Sequence, residues 1–131
     1  MVVPLLCVLV LVLVDFGKAM NYWIDLTHIA NQGARLAAVN ADVTQAPYNT
    51  AGASSLQQYV QQQAETTELK GSTVSVCFPG GNSAAGSPVT VKVTYPYEFI
   101  PFVGRIWNIK GSATMRLEHS ATKFLASGSC S

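Results

Sequence analysis

The stretch Val2-Val3-Pro4-Leu5-Leu6-Cys7-Val8-Leu9-Val10-Leu11-Val12-Leu13-Val14-Asp15-Phe16-Gly17-Lys18 decides the fold. From Val2 to Val14 it is unbroken apolar sequence. That run alone is too short to cross a bilayer, which takes about 20 residues in a helix. Continuing through Ala19, Met20, Tyr22, Trp23 and Ile24 supplies the length, at the cost of enclosing Asp15 and Lys18. These two charges are three residues apart and share a helical face, so they can pair with each other or with a neighbouring helix. Tyr22 and Trp23 read as markers of a membrane–water boundary. A cleaved secretory signal would have a basic segment before the run and a small-x-small site soon after it. Neither flanks this run, so a retained helix is expected.

Beyond Trp23 the helical pattern continues through Leu26, Ile29, Ala30, Gly33, Ala34, Leu36, Ala37 and Ala38, and the segment from Asp42 to Pro47 ends it. One helix from about Pro4 to about Asn40, roughly 55 Å long, is expected. Proline is tolerated in its first turn because that N–H has no helical partner. Ala30, Gly33 and Ala37 form a small-residue stripe on which a second backbone can approach closely. The stripe suits a sister subunit or the protein's own head equally well.

After the helix the composition changes. A loop over 47–55 leads to a second, amphipathic helix expected from Leu56 to Leu69, with Leu56, Tyr59, Val60 and Gln63 at helical spacing. Ser54 or Ser55 can cap it and Gly71 closes it. From Ser72 the hydrophobic period falls to two. Val74, Val76 and Phe78 mark one strand; Val89, Val91 and Val93 a second; Ala113, Met115 and Leu117 a third, over Ile109 to Glu118. The tail from Ser120 to Ser131 reads as an edge strand. The fold expected is α+β: a long hydrophobic N-terminal helix over 1–42, packed on a head over 43–131 with a small antiparallel sheet and one additional helix.

Between the second and third strands, Tyr95 to Trp107 concentrates Tyr95, Tyr97, Phe99, Phe102 and Trp107. So small a head cannot bury them all, and an exposed apolar segment of this size marks an interaction surface. A buried connection across the bottom of the sheet is the alternative. An inter-subunit surface is favoured because the segment would lie near the membrane-proximal helix.

Charged residues are 11% of the 131, with a formal net charge of +1, so attraction to nucleic acid is not expected. Uncharged polar residues solvate the remainder, a composition that suits an exported protein. Of the three cysteines, Cys7 lies in the apolar run and reads as a small buried hydrophobe. Cys77 and Cys130 lack Cys-x-x-Cys spacing and a nearby histidine, so zinc is not expected. In an oxidising compartment they would form a disulfide worth about 4 kcal/mol on the chain-entropy account, with two free thiols as the alternative.

Pro4-Leu5-Leu6 through Val14-Asp15-Phe16-Gly17-Lys18-Ala19, followed by Ala30-Asn31-Gln32-Gly33-Ala34-Arg35-Leu36-Ala37-Ala38-Val39, resembles the TadE/TadG-like family of pilin-like subunits of tight-adherence (Tad, or Flp-type) pili. Ile109-Lys110-Gly111-Ser112-Ala113-Thr114-Met115-Arg116-Leu117-Glu118 is similar to the family's C-terminal pattern. The glycine-ended leader and the glutamate that precede the proline-led run in that family are not among residues 1–131.

The resemblance implies a type IV pilin-like subunit, drawn from the inner membrane into a helical filament with helices inside and heads outside. It would partner copies of itself or other pilins, first in the bacterial membrane and then in an extracellular, adhesive pilus. Pro4, Asp15, Gly17, Lys18, Ala30, Gly33 and Ala37 would set assembly and helix register. Asp15 and Lys18 would pair between neighbours, because an unpaired buried charge costs several kcal/mol. A single-pass anchored periplasmic or extracellular module, with Tyr95–Trp107 as its site, is the alternative. No catalytic residue, cofactor, metal or small-molecule substrate is expected. His28 and His119 lack a partner cluster, Gly80-Gly81 lacks the lysine of a phosphate cradle, and no Gly-x-Ser-x-Gly elbow occurs.

Overall fold

The computed structural model describes residues 2–99, 104–124, 126 and 130. It contains a long helix α1 (Val2–Ala38), a short helix α2 (Leu56–Gln62) and three strands, β1 (Thr73–Cys77), β2 (Pro88–Phe99) and β3 (Arg105–Arg116). Single 3₁₀ turns cover Tyr48–Ala51 and Glu68–Gly71. The sheet is antiparallel, in the order β1-β2-β3. This is the α+β, pilin-like architecture expected, with one long apolar helix laid on a small sheet.

The core forms where the C-terminal half of α1 meets the sheet. Leu26 and Ile29 of α1, Leu56 and Val60 of α2, and Val76, Val89, Val91 and Val93 of the sheet are all almost fully buried. The period-two valines of β1 and β2 pair directly, Val76 with Val91 and Val74 with Val93. Two glycines bring the backbones together. A Cβ on Gly111 of β3 would stand 2.5 Å from the Leu26 carbonyl carbon and 2.6 Å from the Thr27 nitrogen, so α1 rests on bare backbone there. A Cβ on Gly33 would stand 2.7 Å from Val60 Cγ2.

The small-residue stripe is therefore spent inside the molecule. Ala30 and Ala37 are fully buried and Gly33 is buried against α2 and β2. Of the two partners the stripe could serve, the head occupies it.

Helix α2 ends seven residues earlier than Leu69. The cause lies on α1: Asp25, which is buried, accepts the backbone N–H of Glu65 at Oδ2, 3.2 Å away. A continuing helix would have given that N–H to the carbonyl four residues back. Ser55 is the N-cap, and its hydroxyl accepts from the Gln58 N–H at 3.2 Å.

Strands β2 and β3 overturn the expectation of a loop over 95–107. β2 continues through Phe99 and β3 already begins at Arg105, in unbroken register from Pro88↔Arg116 to Phe99↔Arg105. Pro96 fits because β1 stops pairing at Thr73↔Thr94, leaving β2 open on one side, the setting in which a residue without an N–H is tolerated.

The tail is not an edge strand over its described part, 117–124. It is instead clasped to the C-terminal end of α1. Asn40 adopts φ 51 and its carboxamide oxygen accepts from the N–H groups of Thr122 and Lys123, both at 3.0 Å. The Glu118 N–H donates to the Ala38 carbonyl at 2.7 Å. Cys77 and Cys130 are joined by a disulfide with a Cα–Cα distance of 5.1 Å, tying the tail to β1.

Candidate functional site

Because the C-terminal half of α1 is the core of the head, the N-terminal half projects as a bare apolar rod. Val2, Val3, Leu5, Leu6, Val8, Leu9, Leu11, Leu13 and Val14 are all exposed, Val3 by 74%. An 18-residue window of this segment has mean hydropathy 2.3 and no part of it is buried in the molecule. So much exposed apolar surface needs a bilayer or other apolar helices around it. Cys7, expected to be buried, is exposed on this rod with a free thiol. Pro4 lies in the first turn of the rod, and Gly17 has nothing within 4 Å of where a Cβ would be, leaving a notch on its surface.

Where the rod meets the head, Asp15 is engaged by the chain's own sheet. The Tyr97 hydroxyl donates to Asp15 Oδ1 at 2.5 Å, with the Asp15 carbonyl oxygen a second acceptor at 3.2 Å. Tyr97 is 7% exposed, so this residue, expected on an inter-subunit surface, is interior. Its ring meets Tyr22 edge-on at 5.5 Å, and Tyr95, half-buried, does the same at 5.8 Å. Burial, then the hydrogen bond and charge of Asp15, push the Tyr97 hydroxyl well above the ordinary tyrosine range. Burial also raises Tyr95, with the nearby Tyr22 and glutamate charges adding to it. Lys18 is exposed and lines an open cleft of about 440 Å³ beside Asp15, Glu68 and Glu98.

The rest of the aromatic set divides. Trp107 is 64% exposed and its neighbour Ile106 61%. Phe99 is half-buried and stacks on Trp107 with ring centroids 6.5 Å apart. Phe102 lies outside the described residues. Asp25 is a role the sequence did not signal: it is buried and holds the Glu65 backbone. His28 shares a side-chain hydrogen bond of 3.0 Å with Gln32. Among the described residues, no three His, Cys, Asp or Glu side chains gather as a metal site would require.

A family model described as TadE-like protein matches residues 1–35, the rod and the beginning of the buried half of α1. No curated protein matches the chain, and no solved structure matches it. The match covers 35 of the 131 residues, including the proline-led run with Asp15 and Lys18, and supports the likeness to TadE-like proteins over that segment.

Proposed function

We propose that this chain is a non-catalytic structural subunit of a Tad or type IV-like pilus, held in the bacterial membrane by the rod of α1 and polymerised through that same surface. One observation carries the reading. The exposed apolar rod is continuous with the helix at the centre of the head, so rod and head move as one body. A bilayer and a core of neighbouring helices satisfy such a surface equally, because both remove it from water at about 25 cal/mol per Å². Transfer between them therefore costs little, and the folded head travels with the rod.

In this reading Leu5, Leu9 and Leu13 pack against neighbouring rods, Gly17 admits close approach, and Lys18 faces a neighbour across the open cleft. Ala30, Gly33 and Ala37 hold the head to its own helix. Cys7, the free thiol on the rod, provides the test. A thiol-specific bifunctional cross-linker applied to surface material sheared from native cells should give a ladder of Cys7-linked multimers. Monomer alone, with the chain retained in the membrane fraction, would favour an anchored accessory module over a polymerising subunit.

A further inference from the structure

We propose that neighbouring heads meet side by side in the filament, with the cationic edge strand β3 of one copy set against the carboxylate-lined cleft of the next. The inference rests on the pilus reading above and names the surface of the head on which a second copy of this chain docks.

The two surfaces lie at opposite edges of the sheet. In the order β1-β2-β3, β3 ends the sheet and, among the described residues, pairs with β2 alone. It carries Arg105, Lys110 and Arg116, all exposed, and no carboxylate over its 12 residues. Lys110 stands with Lys92 beside a groove of about 300 Å³ that Ser75, Thr94 and Ser112 also line, so hydroxyls rather than carboxylates surround it. Beyond Thr94 the other side of β2 is an edge as well, because β1 stops pairing at Thr73. The cleft beside Asp15 opens there. Glu68, on the turn that precedes β1, and Glu98, near the end of β2, line it and are both exposed. Asp15, bound by the Tyr97 hydroxyl, and Lys18 line it too. The cleft thus holds three carboxylates against one ammonium.

Charges on an edge strand have a simpler use, which is to stop strands from pairing edge to edge. That accounts for the cations of β3 but not for carboxylates gathered at the opposite edge. With both, each head has two unlike and complementary flanks. A contact between unlike surfaces is heterologous, and it repeats from copy to copy in an open filament when its rotation does not close a ring. Rods that stand parallel present their heads in one orientation, so the β3 edge of each faces the cleft edge of the next. Lys110 pairs with Thr94, and Glu98 lies four residues farther along β2, about 13 Å of strand. A neighbour displaced along the strands by that step brings its Glu98 level with Lys110. Two-fold pairing of β3 with β3 would instead gather the cations of both copies on one seam, which opposes association.

The test reverses charges in the full chain in native cells, whose sheared filaments and membrane fraction are both assayed for it. Lys110→Glu and Glu98→Lys each change an exposed side chain. Each should lower the chain recovered in filaments at least about tenfold, because like charges set against each other across an interface strongly oppose docking. Lys110→Glu combined with Glu98→Lys in one chain sets opposite charges together again and should recover most of the loss. The Cys77–Cys130 bridge, mapped without reduction in the membrane fraction, checks that the heads are folded. Single reversals that enter filaments at the wild-type level overturn the contact and leave the pilus reading standing, as does a combined reversal no better than the single ones. Wild-type chain absent from filaments overturns the pilus reading, and the contact with it. Where a reversal fails to accumulate, Glu98→Cys with Lys110→Cys in a Cys7→Ser chain decides. A short thiol-specific cross-linker should give a ladder from its filaments, and monomer alone from intact filaments overturns the contact.

Discussion

Tyr97 and Asp15 are 82 residues apart in the chain and share a 2.5 Å hydrogen bond, the tyrosine hydroxyl donating to the carboxylate. The bond ties the extended end of β2 to α1 at the first charged residue after the apolar rod. The sequence leaves Asp15 to pair with Lys18 or with a neighbouring helix, and the family resemblance implies a neighbouring subunit. The head of the same chain provides a partner, which fixes how the head stands on the rod.

Tyr97→Phe keeps the ring against Tyr22 and deletes only the hydroxyl, with its bonds to the Asp15 carboxylate and carbonyl. A buried hydrogen bond to a charged group is worth about 1.5–3 kcal/mol, and the unfolding free energy of the detergent-solubilised chain should fall by that amount. An unchanged denaturation midpoint would mean that Asp15 is satisfied without Tyr97.

The same residue gives a pH signature. In the folded chain the Tyr97 and Tyr95 hydroxyls hold their protons above the ordinary tyrosine value of 10.0. A raised folded pKa contributes stability that is complete below the unfolded value and is lost as pH rises above it. Unfolding midpoints should be level up to about pH 10 and then decline, with a shallower decline in Tyr97→Phe. Equal declines in the two proteins would assign the effect to other groups.

The two close-packed glycines should differ in cost. At Gly111 an added methyl meets helix backbone, which cannot step aside, whereas at Gly33 it meets the end of the Val60 side chain. Overpacking commonly costs about 1–3 kcal/mol. Gly111→Ala should lie at or beyond the top of that range and Gly33→Ala near the bottom, by denaturant titration. The reverse order would contradict the direct seating of α1 on β3.

Cys77→Ser should remove about 4 kcal/mol of stability on the chain-entropy account, since the bridge closes a separation of 53 residues. Peptide mapping without reduction should recover the Cys77–Cys130 pair. Alkylation of both thiols in native protein would contradict the bridge.

What the sequence made legible is what a single element's pattern encodes. The unbroken apolar run, the small-residue continuation and the valines at period two led to α1 and the sheet, because each depends on local periodicity. Three features depended on meetings across the chain. Pro96 reads as a strand breaker unless β1 is known to end at Thr94. Asp25 reads as surface unless the Glu65 N–H is known to lie above it. The stripe Ala30, Gly33 and Ala37 fits a sister helix as well as it fits Val60 and Val91, and only the placement of the head separates the two. Gly111 carried a signal that could have been used: a glycine within a strand pattern often marks close approach of another backbone. Tyr97 alternates in phase with Val89, Val91 and Val93, a second signal that could have been used to put it on the buried face instead of an inter-subunit surface.

The central claim is that this chain builds a filament, and the most direct measurement is electron microscopy of appendages sheared from native cells, with the subunits identified by mass spectrometry. The account predicts thin filaments containing this chain, with peptides from both the rod and the head. Filaments formed without it, while the chain remains in the membrane fraction, would contradict the account.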